Sequence, residues 1–189
     1  MTYDRGSTAV LTRDWLKERF GDEGFQKIAG KLSADARNML LNTHSNAWYP
    51  TPLIKEVYKA VSDEYAGKNP DIMYDCGRYC AEKSATGILR FLMKNMTIEN
   101  LFKRTKSFWK HFNKGGGAEA TMLESEGSGK KLKFTIYEYD AGVPGCQTMQ
   151  GFIEGIAKMS DSRAKDVRVE KKDCLYNGDG YCSWIISWG

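Results

Sequence analysis

Apolar residues recur at helical spacing through the first 112 residues and alternate at strand spacing only afterwards. The segment TRDWLKERF (12–20) sets Trp15, Leu16 and Phe20 on one helical face, with Thr12 as a candidate cap and Asp14 in the first turn. DEGFQKIAGKL and SADARNMLL predict two further short helices, the second capped by Ser33. Pro50 and Pro52 force an extended path through 42–52. A long helix is expected over 52–66, where Leu53, Ile54, Val57, Tyr58, Val61 and Tyr65 make an apolar stripe. Residues 70–95 predict one or two helices with a break near Ser84, and 98–112 another.

Beyond 112 the period changes. Glycines punctuate a stretch in which Leu132, Phe134 and Ile136 alternate, predicting a hairpin of 118–125 with 131–139. An amphipathic helix over 145–159 follows. A second hairpin, DVRVEKKDCLY with YCSWIISW, turns around Asn177–Gly180. The expected architecture is α+β: an N-terminal helical part packed on a four-stranded antiparallel sheet, with a helix between two C-terminal hairpins. Residues 1–50 are expected to form a helical extension and 51–189 the main α+β unit, the two making one compact body.

Composition narrows the function. The formal charge of +4, from 28 basic and 24 acidic residues, is too balanced to argue for nucleic acid. FKRTKSFWKHF mixes cations with aromatics, but its spacing is that of a helix with one buried stripe. No apolar run reaches the roughly 18–20 residues of a membrane span. The N-terminus lacks the basic head and apolar run of a secretory signal, so a cytoplasmic location is expected.

Five cysteines are present, and three lie near the C-terminus: Cys146, Cys174 and Cys182. Across a turn centred on Gly178, Cys174 and Cys182 face each other, and Cys146 at the start of the preceding helix could join them. A disulfide, a metal site and buried thiols all remain open, the disulfide least favoured in a reducing compartment. Cys76 and Cys80, at i and i+4, share a helix face that could hold a metal or haem or serve as small packing residues. His44 and His111 lack the neighbours of a catalytic base, and no Ser-His-Asp set, P-loop or dinucleotide fingerprint is present. An enzyme is therefore not expected.

GCQTMQGFIEG followed by VRVEKKDCLYNGDGYCSWIISW resembles the 4-vinyl reductase (4VR) family of small-molecule-binding domains at Cys146, Gly151, Gly155, Cys174, Gly178, Asp179 and Cys182. WYP and FWKHF in the helical part are similar to a myxobacterial paralogous family of unknown role. The resemblance implies the fold of the small TRAPP subunits, a homodimer, and an apolar pocket between helices and sheet. Candidate pocket residues are Tyr74, Tyr79, Leu89, Leu92, Met93, Phe102, Met149 and Phe152. In phenol-sensing members of that family, zinc is held by three cysteines and a glutamate. The resemblance therefore implies a zinc site at Cys146, Cys174 and Cys182, with Lys171 at the glutamate's position and Glu170 one residue away. The expected function is a non-enzymatic sensor or carrier of a hydrophobic small molecule, with a signalling partner protein; the alternatives are a dimeric interaction scaffold and a tetrapyrrole vinyl reductase.

Overall fold

The change of period near residue 112 marks where the chain passes from helices to sheet. The computed structural model describes residues 1–85, 93–124 and 129–189. The described residues form seven α-helices, α1 (Gly6–Gly30), α2 (Ala34–Asn42), α3 (Thr51–Tyr65), α4 (Ile72–Ser84), α5 (Ile98–Phe102), α6 (Thr105–Phe112) and α7 (Gly142–Met159). Strands β4 (Gly117–Leu123), β5 (Lys130–Tyr137), β6 (Arg168–Asp173) and β7 (Cys182–Trp188) form a four-stranded sheet in the order β4-β5-β7-β6. Every pairing in it is antiparallel. The α+β architecture, with α7 between two hairpins, is as the pattern predicts.

Three short strands were not expected. β1 (Tyr3–Arg5), β2 (Trp48–Pro50) and β3 (Asn113–Lys114) pair antiparallel in the order β2-β1-β3. This small sheet ties the N-terminus to both ends of the helical region and seats Asp4 in the interior. Thr12 does not cap a helix: α1 begins at Gly6, and the Thr12 hydroxyl is buried in it, donating to the Thr8 carbonyl at 2.9 Å. Gly21, at φ +67°, kinks α1 between the two helices read from the sequence. Ser33 does cap α2, accepting from the Ala36 amide at 3.3 Å.

Two apolar clusters hold these elements. The first joins Leu16, Phe25, Leu40, Ile54, Val57 and Met73, so residues on both sides of position 50 share one core. The second gathers the inner face of the sheet, Leu132, Phe134, Ile136, Trp184 and Ile186, against Ile98, Leu101 and Ile153. The alternation predicted for β5 is what places Leu132, Phe134 and Ile136 on that face.

Helices α4 and α7 cross in near backbone contact. A Cβ at Gly77 would lie 1.9 Å from the Thr148 carbonyl oxygen, and one at Gly151 would lie 2.1 Å from that of Tyr74. Only glycine fits at either position.

Candidate functional site

Between α4, α6 and α7 on one side and β4 and β5 on the other lies a cavity of about 240 Å³. Its walls are apolar and aromatic, including Phe102, Phe134, Trp109, Met149, Phe152 and Ile156. Phe102 meets Phe134 edge-on at 5.9 Å, and Trp109 meets Tyr139 edge-on at 5.1 Å. Of the residues expected to line a pocket, Met93, Phe102, Met149 and Phe152 do so. Tyr74 and Tyr79 lie elsewhere: the Tyr79 hydroxyl donates to Glu18 at 2.8 Å, and Tyr74 interacts with Glu154. Leu89 and Leu92 fall outside the described residues.

Among the described wall residues, one carries an ionisable carboxyl. Asp4, on β1, is 4% exposed and lines the cavity. Its Oδ1 accepts from the Tyr139 hydroxyl at 2.6 Å and from the Asn113 amide at 3.0 Å. Oδ2 of Asp4 and Oγ of Ser7, also in the wall, are buried without a hydrogen bond. Thr51 Oγ1 likewise makes none, though it lies near enough to favour the Asp4 charge. Burial pushes the Asp4 carboxyl above the usual range, opposed by Tyr139, Thr51 and Asn113. Burial and the neighbouring Asp4 push the Tyr139 phenol well up. The sequence offered no signal for this site, because a three-residue strand has too few positions to show a period.

A raised carboxyl makes stability pH-dependent. The contribution is fully present below the unfolded value, near pH 4, and is lost as pH rises through the folded one. Scanning calorimetry from about pH 4 to about pH 7 should therefore show wild type losing melting temperature relative to Asp4→Asn; parallel profiles would contradict this.

The C-terminal cysteines form a second cluster. The ligand atoms of Cys146, Cys174 and Cys182 lie within 4.8 Å of one another, and Cys146 Sγ is 3.5 Å from Cys182 Sγ. All five cysteines are free thiols. The Cys146 thiol hydrogen-bonds Cys182, which holds Cys182 low and raises Cys146; Lys171 favours the Cys182 thiolate as well. Lys171 Nζ is buried over the Trp184 ring, 3.7 Å from its centroid. Glu170 is exposed and opposes Ile185, on the other face of the strand from Lys171. The β6 bulge falls after Lys171 and so does not turn Glu170 inward. Cys76 and Cys80 pack in the first apolar cluster, where burial and Cys80 push the Cys76 thiol up.

No family profile matches the chain, and no curated protein matches it. Solved structures do match. An H-NOX protein from S. oneidensis in the Fe(II)NO ligation state aligns with a TM-score of 0.73 at 13% identity, over 98% of this chain and 99% of that one. An Fe(II) unliganded H-NOX protein from K. algicida aligns at 0.69 and 11% identity, over 98% and 96%. A point mutant of the T. tengcongensis H-NOX aligns at 0.67 and 12%, over 97% and 96%. The chain therefore has the H-NOX fold.

Two expectations are corrected by this likeness. The 4VR and TRAPP-subunit resemblance rested on spacing in the last 45 residues, whereas the H-NOX alignment runs through nearly the whole chain. Zinc is not supported either, since the S. oneidensis and K. algicida structures hold Fe(II). The physical reason is local: a lysine ammonium, not a carboxylate, stands beside the Cys146 and Cys182 sulfurs, and a second cation there would be repelled.

Proposed function

We propose that the protein is a non-enzymatic small-molecule sensor or carrier whose ligand enters the cavity between the helices and the sheet. The observation that carries the reading is a preformed hollow of about 240 Å³ walled by aromatic and methionine side chains. The H-NOX likeness supports it, because the likeness runs through the elements that enclose the hollow. No helix among the described residues is long and apolar enough to cross a membrane.

The S. oneidensis and K. algicida structures carry Fe(II), and another matching structure concerns haem distortion in the H-NOX family. The described residues of the cavity do not fit haem. The cavity falls below the roughly 300 Å³ at which pockets for drug-sized ligands begin, and haem is larger than most of those. No histidine, lysine or arginine occurs among the described residues that line it, so an imidazole axial ligand and cations for two propionates are both missing there. His44 and His111 are exposed, outside the wall. Asp4 would instead bury an anion against the macrocycle.

The ligand is therefore small and mostly apolar. A partner protein, or a second copy of the chain joined through the helices, would read the bound state. Titrating an apolar fluorophore of one or two rings into the protein should give saturable enhancement at one site per chain, quenched competitively by small aromatic hydrocarbons. Only linear, non-saturable uptake would count against the reading.

A further inference from the structure

Among the described residues, the cavity's buried acid has no counter-ion. Asp4 Oδ2 makes no hydrogen bond of ordinary geometry, the Thr51 hydroxyl being the neutral group that favours its charge, and the described cavity wall supplies no cation to it. Arg5, next in the chain, points away: it donates to Asn46 at 2.9 Å and to the His111 carbonyl at 3.3 Å, and its guanidinium lies 6.0 Å from the Trp48 ring centroid. Strand alternation sends Asp4 inward and Arg5 outward. Buried charges in proteins are paired, and a buried polar group left unpaired is costly. Ser7 Oγ adds a second unsatisfied oxygen to the same wall.

We propose that the cavity's ligand is a small apolar amine, whose ammonium binds Asp4 Oδ2 and Ser7 Oγ while its hydrocarbon body fills the aromatic hollow. An ammonium brings three donors and the missing positive charge, whereas a hydroxyl brings one donor and no charge. Trp109, also in the wall, meets edge-on the Tyr139 ring whose hydroxyl donates to Asp4, so an aromatic ring stands near the polar end, and ring faces favour a cation. The proposal rests on the cavity-binding reading and deepens it by assigning the polar end of the ligand.

The test is isothermal titration of the full chain with benzylamine, benzyl alcohol and toluene at neutral pH. The amine should bind about tenfold or more tighter than the alcohol, as a charge-assisted bond implies. In Asp4→Asn the amine's advantage should fall to within about threefold while the alcohol's affinity holds. Equal affinity of amine and alcohol for the wild-type protein overturns the proposal even where Asp4→Asn does not fold, and leaves the cavity reading standing. An amine preference that survives in a folded Asp4→Asn overturns it too. Binding of none of the three overturns the cavity reading and the proposal together.

Discussion

Gly77→Val and Gly151→Val each yield a chain that has lost cooperative unfolding or melts far below wild type. The cause is backbone contact at the α4–α7 crossing. Any Cβ at these positions falls within about 2 Å of a carbonyl oxygen, as the 1.9 Å and 2.1 Å approaches show. A clash with the end of a flexible side chain can be relieved by a rotamer change. A clash with backbone requires the two helices to separate, which opens both apolar clusters. The cost should reach or exceed the upper end of the roughly 1–3 kcal/mol typical of overpacking. Gly30→Ala is the control, since a Cβ there meets nothing within 4 Å; it should be neutral or slightly stabilising. Chemical denaturation followed by circular dichroism reads all three, and wild-type stability in Gly77→Val would refute the crossing described here.

Filling the hollow should separate stability from binding. Ala118 lies on β4, is 6% exposed and lines the cavity opposite the helices. Ala118→Leu adds three carbons to empty space. The variant should gain up to about 2 kcal/mol of stability from newly buried apolar surface. The same change takes the volume a ligand needs, so affinity for the apolar fluorophore should fall at least about tenfold. A more stable protein that still binds the fluorophore as wild type does would show that the ligand sits elsewhere.

How far the chain could be read without coordinates depended on element length. The four-stranded sheet and α7 are long enough for period to declare them, and Leu132, Phe134 and Ile136 face the core as their alternation requires. β1, β2 and β3 span two or three residues each, so no period exists to detect. Asp4, the most consequential polar group of the cavity, was invisible for that reason. The glycines of α7 were noticed as spacing, but their function depends on Gly77 across the crossing, a pairing only the fold reveals. The three C-terminal cysteines do converge, yet the likeness drawn from that ending named the wrong fold. A turn with two opposed cysteines constrains a hairpin, not the hundred and more residues packed against it. Lys171 against Glu170 was the discordant residue in that motif, and the strand's alternation resolves it in favour of the cation.

Native mass spectrometry and absorbance of protein purified from cells supplied with a haem precursor test the central claim most directly. The structure predicts a chain without haem mass and without a Soret band, able to take up one small apolar molecule. A stoichiometric haem complex that survives gel filtration would contradict it.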